Sequence, residues 1–215
     1  METIALHAGE IDGRWYGLAA LGESLVATAV ASSGPSVIAR LCKCLPAGAS
    51  HQVAAETSDA ADSMLRLLHE LETGDESRKR FTLASDYVPE PLASVLLLAA
   101  AIPLGYVASY GSIAKAADTE ARVVGRIMAS NPLYPIVACH RVVGSDFSLV
   151  GYTGKTDDDA LRAKLARLTR EARGRAADRE VSVGSRSLLV HPVERVLERA
   201  GQLGLGDSRQ RRLFE

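Results

Sequence analysis

The stretch NPLYPIVACHRVVGS, residues 131–145, sets one of the chain's three cysteines at the end of an apolar run, directly before a histidine and an arginine. A cysteine in such a run is ordinarily a small buried hydrophobe. Here its neighbours supply what a reactive thiol needs. An imidazole can accept the proton, and nearby positive charge favours a thiolate whose reference pKa is about 8.5. On a regular strand Cys139 and His140 would point to opposite faces. Cooperation between them therefore requires the backbone to turn there, or a water to relay the proton. A further group, usually a carboxylate, must orient the imidazole. The apolar run LYPIVA (133–138) reads as a buried strand leading into Cys139.

Upstream the pattern is helical. Residues 91–102 form an apolar helix that ends at Pro103. SYGSIAKAA (109–117) is a short helix, ADT a tight connection with Thr119 as N-cap, and EARVVGRIMAS (120–130) a second helix stopped by Asn131 and Pro132. Two short helices joined this closely have helix-turn-helix spacing. Val123, Val124, Ile127 and Met128 can face inward, while Arg122 and Arg126 share another face suited to phosphates or base edges. Downstream, GSDFSLVGYTGKTDDD is a loop and residues 159–173 an Arg-rich helix.

The N-terminal part reads differently. Residues 1–50 look like short strands punctuated by SSGPS, and residues 58–72 like an amphipathic helix stopped by Gly74. The charged loop TGDESRKR and a strand-like FTLA follow, and the prolines of SDYVPEP mark a domain boundary.

The apolar (47%) and charged (24%) fractions are those of an ordinary globular protein, long enough for one large domain or two small ones. Neither a basic-then-apolar leader nor an unbroken membrane-length run is present in METIALHAGEIDGRWYG or PLASVLLLAAAIPLGYV, so a cytoplasmic location is expected. The net charge of −1 hides an asymmetry: residues 1–90 carry 7 Lys/Arg against 13 Asp/Glu, residues 160–215 carry 13 against 7. Such a basic half suits a polyanion or, more blandly, a solvated helix. Cys42 and Cys44, in LCKCLP, are open to three readings: free thiols, a tight disulfide, or part of a metal site with His7, His51 or His69.

The segment IPLGYVASYGSIAKAADTEARVVGRIMASNPLYPIVACHRVVGSDFSLVGYTGK (102–155) resembles the C-terminal domain of the O6-alkylguanine-DNA alkyltransferases. It carries, in order, an S-Y-x-x-I-A helix, an A-R-x-V-G helix, an Asn-Pro, a C-H-R-V motif and a G-Y-x-G segment. The resemblance implies an α/β (α+β) fold in parts: a ribonuclease-H-like α/β domain (1–86), an alkyltransferase domain with a winged-helix-like helix-turn-helix (87–173), and a basic extension (174–215). It implies irreversible transfer of a methyl or other alkyl group from O6-alkylguanine, and from O4-methylthymine, in double-stranded DNA to Cys139. No cofactor or metal is expected, and the chain is expected to act as a monomer.

By the same resemblance, His140 takes the thiol proton through a water, Glu171 orients His140, Tyr110 donates its hydroxyl to the ring N3 of the base, and Asn131 braces the junction. Arg122 fills the space left by a nucleotide flipped through the minor groove. Ser109, Ala121, Gly125, Arg126 and Arg141 join it against DNA, while Val142, Val143, Gly144, Ser145, Tyr152 and Thr153 line the base pocket. Departures are Ala138 for the usual proline, Lys155 for the second glycine after the tyrosine, and the tail, whose charge suits DNA contact or an intramolecular clamp. A lesion-binding relative without transfer lacks the acceptor cysteine, and a Cys-His hydrolase would leave the helix-turn-helix without a purpose.

Overall fold

The computed structural model describes residues 2–74, 80–84 and 86–205. Its first three strands, β1 (Ile4–Ile11), β2 (Arg14–Leu21) and β3 (Ser24–Ala31), form an antiparallel meander. Asp12 and Gly13, at φ 49 and 74, make the first of its turns, with the double positive φ that matches strand twist. Where strand was expected to continue, the chain enters α1 (Gly34–Cys44). Ser33 caps it by accepting the Ser36 N–H, and Pro35 sits in its first turn, so SSGPS starts a helix rather than separating strands. β4 (His51–Val53) pairs parallel to β1 and β5 (Thr82–Leu83) parallel to β3, giving the order β4-β1-β2-β3-β5.

The expected amphipathic helix is present as α2 (Asp59–Thr73), capped by Ser58 and ended by Gly74 in the left-handed conformation. Leu6, Val26, Val37 and Leu41 centre the core here. A Cβ on Gly17 would overlap Val37, so only glycine lets α1 lie this close to β2. Most of the charged TGDESRKR loop lies outside the described residues.

Cys42 and Cys44 stand two apart on α1, so their side chains diverge around the helix and both thiols are free. Of the three readings, the helix geometry supports free thiols and not the disulfide. Cys42 is exposed, its Sγ 3.8 Å from His51 Nε2, while Cys44 packs against the core. Among the described residues no group of three or more His, Cys, Asp and Glu could hold a metal ion. No described helix is long and apolar enough to cross a membrane.

Contacts divide the chain into two compact units, Met1–Ala93 with Pro132–Val137, and Ser94–Asn131 with Ala138–Glu215. The break thus falls after Ala93 rather than residue 86. The run 133–138 is not a strand: it makes one bridge, Leu133 to Thr28, and Thr28 holds it through its N–H to Pro132 O and its hydroxyl to Tyr134 O, both 2.8 Å.

The second unit takes in α3 (Leu92–Ala100) from Ser94 onward, then β6 (Tyr106–Ser109), α4 (Tyr110–Ala116) and α5 (Ala121–Ser130). β7 (Val142–Val143), α6 (Asp158–Glu171), β8 (Arg179–Val183), β9 (Arg186–Pro192) and α7 (Glu194–Gln202) complete it. Its sheet runs β7-β6-β9-β8, with β7 parallel and β9 antiparallel to β6. Residues 174–205 are therefore built into this unit and supply one strand beside β6. Val107, Leu168, Val193 and Val196 lie in its core.

Candidate active site

Ser109 closes β6 and caps α4, its hydroxyl accepting the Ser112 N–H at 2.9 Å. That cap accounts for Ser109 without DNA. Asp118, at φ 53, turns the chain between the helices, and Thr119 donates its N–H to Ala114 O at 2.9 Å. Thr119 does not cap α5; Glu120 holds that position, with no side-chain capping bond. α5 buries Val124 and Met128 and leaves Ala121, Arg122, Arg126 and Ala129 exposed. A Cβ on Gly125 would meet nothing within 4 Å, so internal packing does not require glycine there; its absence keeps the helix face low.

The backbone turns at the Cys-His dipeptide as a reactive pair demands: Cys139–Arg141 is a single 3-10 turn, closed by Arg141 N–H to Ala138 O at 2.8 Å. Burial pushes the Cys139 thiol up from its ordinary range, against a hydrogen bond from the Asn131 side chain and the charges of Lys164 and Arg167. The resting sulfur is a thiol and needs a base.

His140 is 6% exposed, and its Nε2 lies 2.6 Å from Glu171 Oε1. Burial pushes the Glu171 carboxyl up, but hydrogen bonds from His140 and Arg141 and the Arg141 charge outweigh it and hold the group at about 2. An ionised carboxylate only accepts, so Nε2 carries the proton and Nδ1 is the bare acceptor. Burial also pulls His140 below its ordinary value, keeping the ring neutral at pH 7. Nδ1 is buried without a protein partner, which leaves it able to take a proton.

Arg141 corrects an expectation. It is 3% exposed, grips both Glu171 oxygens through Nε at 2.8 Å and Nη2 at 2.9 Å, and donates to Ile102 O at 2.9 Å. A guanidinium with its fork filled inside the fold cannot reach DNA.

Lys164 belongs to none of the sequence motifs, yet it is fully buried. Its ammonium donates to Val142 O (2.6 Å), Leu149 O (2.7 Å) and Gly151 O (2.9 Å), tying β7 to the following loop, and sits 5.7 Å from the Tyr110 ring centre. A lysine among the inward positions of an amphipathic helix, beside Leu165 and Leu168, is the signal that would have found it. Burial pulls Lys164 down to about 8, against an opposing pull from Cys139. The unfolded chain then binds the extra proton between about 8 and 10.5, so this lysine makes stability rise with pH there. Wild type should accordingly gain on Lys164→Met as pH goes from 8 to 10 in urea titrations; a gap independent of pH would remove the argument.

A cavity of about 420 Å³ reaches Cys139, itself 6% exposed, and Tyr110. Burial, and then the neighbouring Cys139, push Tyr110 up to about 12, so it stays a phenol able to donate. One wall is the low face of α5, with Ala121, Arg122 and Gly125; the other is the segment 150–156, which includes Tyr152 and Thr153. Arg126 is exposed on α5 but does not line the cavity. Val142, Val143, Gly144 and Ser145 do not line it either. The valines are 0% and 1% exposed in β7, and Gly144 opens a turn closed by its N–H to Ser148 O at 2.8 Å.

Residues 92–173 match the family model for the 6-O-methylguanine DNA methyltransferase, DNA binding domain. This segment is similar to that domain. A methylated-DNA–protein-cysteine methyltransferase of Pyrobaculum aerophilum is 56% identical over 59 residues, 27% of this chain and 40% of that protein. One from Archaeoglobus fulgidus is 44% identical over 70 residues, 31% and 47% of the two chains. The chain thus matches less than half the length of these curated relatives. Among solved structures, the O6-methylguanine-DNA methyltransferase of Pyrococcus kodakaraensis superposes with a TM-score of 0.52 at 22% identity, over 76% of this chain and 98% of that one. The Mycobacterium tuberculosis OGT in complex with DNA gives 0.51 at 21%, over 78% and 92%. These likenesses carry the mixed α/β fold. The matched segment holds Cys139, His140, Tyr110 and the α5 face, and its last turns supply Lys164 and Glu171.

Proposed function

We propose that this chain repairs DNA by direct reversal, moving the alkyl group of O6-alkylguanine, and by the same chemistry O4-methylthymine, onto Cys139. The observation that carries it is a buried cysteine reached from a cavity walled by the exposed, low face of a second helix-turn-helix helix, with a neutral imidazole and its carboxylate next to it. The names of the matched relatives support the same reaction.

In this reading α5 enters the minor groove and the target nucleotide rotates into the cavity while Arg122 fills the gap. His140 Nδ1 takes the Cys139 proton through a water. The thiolate attacks the alkyl carbon in line; the S–C bond forms as the C–O6 bond breaks. The electron pair goes to the purine, where the Tyr110 hydroxyl donates to N3 and offsets the developing charge. The guanine takes up a proton and leaves. A thioether does not return to a thiol, so each molecule reacts once and needs no cofactor. The chain works as a cytoplasmic monomer.

The β3-β2-β1-β4 order, antiparallel except for the last pair, supports reading the first unit as ribonuclease-H-like. The helix pair beside a sheet supports a winged helix-turn-helix in the second.

Incubation with duplex DNA holding one O6-methylguanine should add one methylene to the intact mass, localised to the Cys139 peptide. Tight binding with no mass gain would make the chain a lesion-recognition protein instead.

A further inference from the structure

Among the described residues, Arg122 and Lys155 are the charged ones lining the cavity, both positive, and no carboxylate lines it. Among the described residues neither makes an ion pair or a side-chain hydrogen bond, and both are exposed. Arg122 has a role in the reading above; Lys155 has none, and it stands where the resembling family has a glycine.

Lys155 is held firmly. Tyr152 and Lys155 exchange backbone hydrogen bonds, N–H to O, at 2.8 and 3.0 Å, around Thr153 and Gly154 at φ 49 and 76. Two positive φ values inside a two-residue loop make the tight turn that matches strand twist. The turn is packed on both sides: a Cβ on Gly154 would touch Ala129 of α5, and one on Gly151 would lie 2.8 Å from Lys155 O. The cation is thus mounted on a rigid turn at the mouth of the cavity.

We propose that Lys155 is a phosphate-binding residue, its ammonium holding a backbone phosphodiester of the strand whose nucleotide enters the cavity. The inference rests on the repair reading. An exposed cation on a fixed backbone, lining a cavity without acids, is placed to attract a polyanion. It also places a contact on the 150–156 wall of the cavity, so the nucleotide is gripped from that wall as well as from Arg122 on α5.

Lys155→Gln leaves a shorter, neutral polar side chain; Lys155→Arg keeps the charge and a long side chain. Binding is measured in a Cys139→Ser background, with an O6-methylguanine duplex titrated from low to physiological salt, while transfer is followed by intact mass with Cys139 present. Lys155→Gln should weaken binding about threefold to tenfold at low salt and flatten the log–log salt slope by ~0.9, one phosphate contact. Lys155→Arg should restore both. An unchanged slope in Lys155→Gln overturns the assignment while leaving the repair reading intact. A flattened slope without any mass gain in the Cys139 protein keeps the phosphate contact and removes the transfer reading. No binding in the Cys139→Ser background overturns both.

Discussion

Glu171→Gln should slow transfer by about 10² to 10³-fold, the range expected when a positioned base is lost, and lower stability by about 3–5 kcal/mol, the usual result of breaking a buried ion pair. Both effects follow from one carboxylate that accepts from three N–H groups: His140 Nε2 at 2.6 Å, Arg141 Nε at 2.8 Å and Arg141 Nη2 at 2.9 Å. Glutamine has the same shape but one accepting oxygen. Turned toward Arg141, its amide donates into His140 Nε2 and drives the imidazole proton to Nδ1, the atom the thiol needs bare. Turned the other way, it faces the guanidinium with a second donor. Either way Arg141, 3% exposed, keeps a buried charge without its counter-ion.

The pH dependence gives an independent check. Glu171 is held at about 2, below the 4.5 of an unperturbed glutamate, so its contribution to stability is fully present above pH 4.5 and is lost as pH falls toward 2. The stability gap between wild type and Glu171→Gln should therefore close across that window. Single-turnover rates on methylated duplex and urea unfolding at several pH values read both. A variant with wild-type rate and a gap that persists at low pH would mean Glu171 neither orients His140 nor balances Arg141.

The parts of this site legible in sequence were those that local pattern encodes. Cys139 and His140 are adjacent; α4 and α5 have helical spacing and a short connection; α2 announces itself with Ser58, a leucine stripe and Gly74. What failed were partnerships across distance. Arg141 looks like any arginine beside a reactive pair until Glu171, thirty positions on, and Ile102 O fill its fork. Lys164 reads as helix surface until three carbonyls from two segments converge on it. Val142 and Val143 are pocket-like by proximity to Cys139, yet β7 pairs them with β6 and turns them into the core. At α1 the error was local: Ser33 and Pro35 are turn formers and helix starters alike, and only Val37 and Leu41, four apart and both fully buried, decide between them.

Ending the chain after Gly174 should leave the second unit without a cooperative unfolding transition. The tail's charge had suited either DNA or an intramolecular clamp, and the contacts favour the clamp. β9 pairs with β6 through Tyr106–Pro192 and Val107–His191, directly before the Ser109 cap and Tyr110. Arg186 donates to Ala116 O at the end of α4, at 2.8 Å. Glu194 Oε1 accepts the N–H groups of Arg173 and Arg175 where α6 ends, close to Glu171, and Arg199 lies 3.5 Å from Asp146 in the turn after Gly144. Arg195, 2.6 Å from Asp178, also stacks over Phe147. Most of these arginines are thus committed within the protein. Beneath them Leu188, Val190, Val193 and Val196 are at most 1% exposed. At about 1.5–3 kcal/mol for each buried side chain, their loss is of the order of a whole domain's stability. Circular dichroism melting of the truncated chain should show the second unit's transition gone, and intact mass should show the proposed methyl transfer to Cys139 gone with it. Were the shortened protein to melt cooperatively near the full-length temperature, the tail would be an appendage and the arginine contacts incidental. The physical reason to expect otherwise is that β6 has β7 on one side for only two residues, Ala108–Val142 and Ser109–Val143. Without β9 the strand that presents Tyr110 would be left with a two-residue ladder and an open apolar face, exposed to water beside a buried lysine and a buried, hydrogen-bonded histidine.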